Sequence, residues 1–267
     1  MSDGQLLEAM IGAAIDAGRA IDDIYRSGFE IAQKADSSPV TTADHAAERI
    51  IVERLSRCAA STPVVAEEAV AAGCLPAAAS EFFLVDPLDG TKEFIGRRGD
   101  FTVNIALVRA GTPTLGVVYA PAKGRLFAGD ATLRAAFALN REPTESEPEM
   151  RDPIRVRVAP SNGLTAVASR SHRTPETDAY LARYPVAELV SVGSSLKFCL
   201  LAEGKADLYP RMGPTMEWDT AAGHAVLLAA GGAVIGPDGM PLRYGKPEYR
   251  NPWFVASGSI APLPFAA

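Results

Sequence analysis

After the apolar run FFLV, residues 82–85, and the segment DPLDGTKEF, the chain passes through three β-prone runs, FTVNIALV, TLGVVYAP and GRLFAGD, set apart by Gly, Pro or Asp. That spacing predicts an antiparallel meander. Beyond residue 153 the pattern changes to alternation. TAVASR, ELVSVG and ADLYPR read as strands, PETDAYLARY, SSLKFCLLAEG and TAAGHAVLLAA as helices, and GGAVIG and WFVAS as closing strands. Alternating elements of this kind form an α/β layered unit. Ahead of the meander, Leu6, Leu7, Met10, Ile11, Ala14, Ile15, Gly18, Ile21 and Tyr25 recur at helical spacing. A polar loop follows over 34–44, then a second helix from Asp44 to about Cys58 with Ala47, Ile50, Ile51 and Leu55 inward. The small-residue stretch AVAAGCLPAAAS reads as a mobile loop. The expected organisation is an N-terminal α+β part over 1–145, a polar, Pro-bearing linker over 141–153 and a C-terminal α/β part over 154–267.

The 267 residues are long enough for a sizeable core, and 48% hydrophobic with 22% charged is ordinary for a water-soluble protein. No apolar run reaches the roughly 18 residues of a membrane span, and MSDGQLLEAM lacks the build of a signal peptide. A cytoplasmic protein is the expectation. Cys58, Cys74 and Cys199 are scattered and without CxxC spacing, which suits a reducing compartment and argues against a disulfide scaffold or a zinc site. A net charge of −6 speaks against binding a nucleic-acid polymer. A small anionic ligand would need local cations, from metal ions or placed Lys and Arg.

The segment DPLDGTKEF, residues 86–94, leaves the first apolar run through two carboxylates, a glycine and a hydroxyl. By itself DPLDG is a turn. Three other acidic positions stand at the ends of elements: Glu67 with Glu68 after a β-prone stretch, Asp219 before an Ala-rich helix, and Asp44 at the start of the second helix. Each has a structural explanation, as a solvated pair or a helix cap. Together, Glu67, Asp86, Asp89 and Asp219 form a plausible oxygen cage for a hard cation such as Mg²⁺. Pro87 keeps Asp86 extended while Leu88 turns, so both aspartates and the Leu88 carbonyl can converge on one ion. Gly90 and Thr91 then offer free amides to a phosphate. Metal ions beside an anion-binding turn suit phosphate-ester hydrolysis.

With DPLDGT at 86–91, the upstream Glu67-Glu68 pair and WDTAAGHAVLLAAGG at 218–232, the sequence resembles the inositol monophosphatase superfamily. DPLDGTKEF, GVVYAP, VASRSH, GSSLKFCLLAEGKADLYPR and WDTAAGHAV place it nearest the bacterial 3′(2′),5′-bisphosphate nucleotidase branch, over residues 6 to 258. The resemblance implies a layered αβαβα sandwich of the inositol monophosphatase and fructose-1,6-bisphosphatase type. It implies Mg²⁺, two or three ions, held by Glu67, Asp86, the Leu88 carbonyl, Asp89 and Asp219. It assigns Asp44 and Thr91, with Glu67, to the attacking water, and Gly90, Thr91 and Lys92 to the scissile phosphate. Ser194, Lys197 and Arg211 match positions that meet a second phosphate, His172 flanks the base, and Lys34 falls in a mobile lid. The implied substrate is a nucleoside bisphosphate, adenosine 3′,5′-bisphosphate or its sulfated precursor. Inositol 1-phosphate and fructose 1,6-bisphosphate remain the alternatives. The sequence leaves oligomeric state and peripheral association with an inner membrane open.

Overall fold

The structure, a computed structural model, describes residues 1–33, 39–143, 150–169 and 171–265. In the first part α1 (Asp3–Ser27) is followed by β1 (Ile31–Gln33), β2 (Pro39–Thr41), α2 (Thr42–Cys58), β3 (Val64–Ala66) and α3 (Glu67–Ala71). Next come β4 (Glu81–Asp89), α4 (Thr91–Ile95), β5 (Thr102–Arg109), β6 (Thr112–Ala120), β7 (Arg125–Asp130), β8 (Ala135–Asn140) and β9 (Asp152–Pro153). The second part contains β10 (Leu164–Ser169), α5 (Pro175–Leu181), β11 (Val186–Val192), α6 (Leu196–Ala202), β12 (Leu208–Arg211), α7 (Ala221–Ala229), β13 (Ala233–Ile235) and β14 (Phe254–Ser257).

Among the described residues β3 to β9 form a seven-stranded sheet in chain order, antiparallel except where β3 runs parallel to β4. This contains the expected meander and extends it by β8 and β9, which the sequence reading does not anticipate. A second sheet has the order β11-β10-β12-β14-β13 and mixes parallel and antiparallel pairs. The long helices α1 and α2 cover one face of the larger sheet, where Met10, Ala14, Ile21, Ile51 and Leu55 pack on Phe83, Ile105 and Val117. Helices α6 and α7 fill the space between the sheets with Phe198, Leu201, Val226 and Leu227. Helix α5 covers the far side of the smaller sheet through Tyr180 and Leu181. The result is the αβαβα sandwich. Helix α7 is apolar all round because it has a sheet on either side. It approaches β6 so closely that a Cβ on Gly116 would stand 2.4 Å from the Ala222 carbonyl, so only glycine fits there.

Two local readings change. The first apolar run does not end at Val85: β4 continues through Asp86-Pro87-Leu88-Asp89. Asp86 pairs with Asn104 and Asp89 with Thr102, so Pro87 and Leu88 face a single residue across the ladder. This is a β-bulge, and the turn comes only at Gly90, with φ of 94°. AVAAGCLPAAAS, in turn, begins inside α3 and becomes irregular only beyond Ala71.

Candidate active site

The sandwich brings the carboxyl end of β3, the β4 bulge and the start of α7 to one cleft. It is also lined by Lys92, His172, Ser194, Lys197, Arg211 and Arg250. The opening of about 390 Å³ suits a nucleotide-sized ligand. The expected acidic residues converge there. One carboxylate oxygen each from Glu67, Asp86 and Asp219 lies within 4.8 Å of the others.

The bulge sets Asp86. Its Oδ1 accepts the Leu88 amide at 3.0 Å, and its side chain is almost wholly buried. Asp89, at the other end of the bulge, is not among the three within that distance, and Asn104 donates to it at 3.4 Å. Burial pushes the Asp89 carboxyl up to about 6, against the pull of Lys197 and Asn104, while Glu67 adds repulsion. Burial raises the Asp219 carboxyl well above the usual range, and the charges of Asp89 and Glu67 raise it further. Asp89 and Asp219 are thus held above their ordinary values by burial and mutual repulsion, which Lys197 and Arg211 offset only in part. A cluster of hard oxygen donors in that condition fits a divalent cation.

Asp44 does two things with two oxygens. Its Oδ2 accepts the Thr41 amide and hydroxyl, both at 2.7 Å, closing a capping box on α2. Its Oδ1 faces Thr91, whose hydroxyl lies 3.2 Å away and 3.3 Å from the Leu88 carbonyl. The expected pair of Asp44 and Thr91 is thus in contact although 47 residues separate them. Gly90 in its left-handed conformation turns the chain into α4, and Lys92 stands exposed at the rim.

Asp219 does not cap α7. Thr220 occupies the N-cap position without a side-chain bond to the helix amides, and the Asp219 carboxylate accepts the Met216 amide at 2.8 Å instead. The loop bends back before the helix begins, which turns this carboxylate toward the cleft rather than along the helix axis.

Lys197 is buried, and its ammonium donates to the Ser194 carbonyl. Burial lowers it to about 8, opposed by the charge of Asp89. Ser194 has a φ of 52°, uncommon for a residue with a side chain. The Ser194 hydroxyl and the Arg211 Nε are buried without a partner, while Arg211 also donates to the Pro214 carbonyl at 2.7 Å. The cleft therefore presents polar groups that nothing within the described residues satisfies. His172 lies at the mouth, where desolvation and then Arg211 and Lys92 hold its imidazole below the ordinary value. Lys34, in the expected lid, lies outside the described residues.

A sequence profile of the inositol monophosphatase family matches residues 3–260. The chain belongs to the inositol monophosphatase family. Within this family, the 3′(2′),5′-bisphosphate nucleotidases CysQ of Salmonella typhimurium and Escherichia coli are each 44% identical to it, covering 93% and 94% of this chain and 98% and 99% of their own. The crystal structure of CysQ from Bacteroides thetaiotaomicron, a bacterial family member, superposes with a TM-score of 0.81 at 42% identity, covering 96% of this chain and 98% of that one. An inositol monophosphatase from Anabaena superposes at 0.74 with 26% identity, over 97% of this chain and 92% of that one. These likenesses span both sheets.

Sequence reasoning misses the residues that brace the site. Asn104 steadies Asp89, and the Ser195 hydroxyl donates to the Asp219 carbonyl at 2.7 Å. Asn251 donates to the Met216 carbonyl at 2.8 Å and to the Thr220 hydroxyl at 3.0 Å. Glu93, for which the sequence offers no physical role, is buried and accepts the Ser171 hydroxyl at 2.5 Å, joining α4 to the segment after β10. Only Glu48 left a signal, lying four residues after Asp44 on the same helical face. Its Oε2 accepts the Glu68 amide at 2.7 Å. Burial raises its carboxyl, the Glu68 and Ala69 amides lower it, and Glu67 repels it.

Proposed function

We propose that the chain is a 3′(2′),5′-bisphosphate nucleotidase that removes the 3′-phosphate of adenosine 3′,5′-bisphosphate to give AMP and phosphate. The sulfated precursor presents the same group and is a second substrate. The observation that carries the reading is the pairing, in one cleft, of an acidic trio with the cations Lys197 and Arg211. An inositol monophosphate needs the first set alone. A bisphosphate brings a second dianion, which Lys197, Arg211 and the unpartnered Ser194 hydroxyl can meet. Relatives at 44% identity carry the nucleotidase name, which supports the same choice.

Glu67, Asp86, Asp89, Asp219 and the Leu88 carbonyl are the residues to hold Mg²⁺, two or three ions. Bound Mg²⁺ would lower the pKa of water and stabilise charge on the leaving oxygen. The chain's own residues do the rest. Thr91, with one hydroxyl proton, donates either to Asp44 or to Leu88. Once the Leu88 carbonyl is otherwise engaged that proton goes to Asp44, and the Thr91 oxygen is free to accept from a water. Asp44, held by its capping bonds, thereby orients the attacking water through Thr91 and takes up the proton that the water sheds, relayed by the Thr91 hydroxyl. Gly90, Thr91 and Lys92 hold the scissile phosphate, while His172 flanks the base. Chain 1–145 supplies most of the metal ligands, 154–267 supplies Asp219 and the substrate-selecting residues, and the segment 141–153 links them. A role in recycling a by-product of sulfate assimilation, in the cytoplasm, follows from the substrate.

Phosphate release from adenosine 3′,5′-bisphosphate, inositol 1-phosphate and fructose 1,6-bisphosphate, with and without Mg²⁺, tests the reading. The nucleotide is turned over fastest and only with metal. Inositol 1-phosphate turned over far faster would overturn the choice.

A further inference from the structure

Helix α2 presents two carboxylates one turn apart to the site, and the reading above uses only Asp44. Glu48 points to α3, the five-residue helix whose first residue is Glu67. A helix start leaves its first amides without partners, and the N-cap here, Ala66, has no side-chain oxygen to offer them. Glu48 supplies what Ala66 lacks, accepting the Glu68 amide at 2.7 Å from across the structure. Glu67 is consequently held on both sides. Behind it, Ala66 is paired with Val85 in the parallel ladder that also leads to Asp86. Ahead of it, Glu68 is tied to α2.

We infer that Glu48 is a positioning residue for Glu67, fixing the angle at which that carboxylate meets Asp86 and Asp219. A cap chosen for stability alone would be a Ser or Asn at position 66, with no second carboxylate set against Glu67. Placed where it is, Glu48 makes α2 the common support of two functions. Asp44 steadies the water-positioning Thr91 through one bond, and Glu48 steadies a metal-holding residue through another. The pair at positions i and i+4 thereby keeps the two in register. This inference rests on the reading that Glu67 holds a cation.

The experiment counts free Mn²⁺ by electron paramagnetic resonance for the wild type, Glu48→Ala, Glu48→Gln, Glu67→Gln and the double variant Glu48→Ala/Glu67→Gln, with metal-free melting temperatures alongside. Glu48→Ala is expected to weaken Mn²⁺ binding by roughly 10- to 100-fold, the usual effect of removing a group that orients a ligand. Glu48→Gln keeps an oxygen for the Glu68 amide and restores most of the affinity. In the Glu67→Gln background, removing Glu48 adds no further loss. A Glu48→Ala protein that melts earlier yet binds Mn²⁺ normally overturns the inference, as do losses that simply add. Should Glu48→Ala fail to fold, Glu48→Asp, one methylene shorter, gives the same answer: weaker binding supports the role and unchanged binding overturns it. If Glu67→Gln itself binds Mn²⁺ like the wild type, the metal reading fails first, and the two failures are told apart.

Discussion

Two of the stretches that bring acidic groups to the cleft are held in different ways. Residues 86–91 are shaped mainly by their own backbone, with β5 alongside. Asp86 accepts the amide two residues on, the bulge spaces it from Asp89, and Gly90 turns the chain into α4. Residues 215–220 lean on distant groups as well as on the local Met216 amide: Asn251 from beside β14 and Ser195 from the start of α6 donate to the stretch, and its own Glu217 reaches out to accept the amides of Gly245 and Lys246. A locally held ligand stays in place as long as its own backbone does. A remotely held one is lost as soon as any of its supports moves. The cleft should therefore fail through Asp219 before it fails through Asp86.

The largest expected effect tests the locally held side. Asp89→Asn should lower kcat/KM by about 10³-fold, several kcal/mol of lost charge stabilisation. The metal-free protein should be no less stable, because burial already opposes ionisation of this carboxyl. Unchanged turnover in a phosphate-release assay would remove Asp89 from the metal site. On the remotely held side, Asn251→Ala leaves the Met216 carbonyl and the Thr220 hydroxyl short of a donor, costing about 1–3 kcal/mol. It should also weaken Mg²⁺ activation by roughly 10- to 100-fold, although Asn251 touches no metal ligand directly. A loss of stability with a normal Mg²⁺ requirement would break the contrast. Smaller still is Thr41→Ala, which removes both hydroxyl bonds at the α2 N-cap, the one donated to Asp44 and the one accepted from the Ala43 amide, at about 0.5–2 kcal/mol in chemical denaturation. Asp44 keeps its place through the Thr41 amide, so turnover should fall less than tenfold.

The same contrast explains what could be read from the chain. DPLDGT announced itself because its geometry is written in neighbouring residues, including the proline and glycine that shape it. Even so, it was legible as a turn and not as a bulge, since the unequal pairing depends on Asn104 and Thr102 in β5. Asp219 was legible as an acidic group before a helix, open to reading as a cap or as a ligand, and its orientation was not legible because it comes from the Met216 amide and from the loop that the distant Asn251 holds. The meander and the later alternation both stood out through their periodicity. β8 did not, because its short alanine-rich run, AAFALN, carries too weak a β signal. Ser195, Asn251 and Glu93 carry no local mark at all.

The finest test uses pH, because two groups near these stretches titrate with opposite sign. The Asp89 carboxyl is raised from its ordinary 3.8 to about 6. Between those values the folded chain binds the proton and the unfolded chain does not, so the contribution is complete below pH 3.8 and is lost as pH rises through about 6. His224, at the far end of the second stretch, behaves inversely. Burial, and to a lesser degree the charge of Lys246, lowers its imidazole from 6.5 to about 3, while the ring stays neutral 3.0 Å from the Tyr244 hydroxyl. Below 6.5 the unfolded chain takes up a proton that the folded chain refuses, so this contribution is present above 6.5 and lost as pH falls toward 3. From about pH 4 to 6 the two slopes, each about 1.4 kcal/mol per pH unit, oppose each other in the metal-free wild type. Asp89→Asn removes one of them. Its stability relative to the wild type, from urea denaturation in chelator, should rise with pH across this window and level off above it. A difference that does not vary with pH would mean that Asp89 is as well solvated in the folded chain as in the unfolded one, and the charge argument for a cation at this end of the cleft would fall with it.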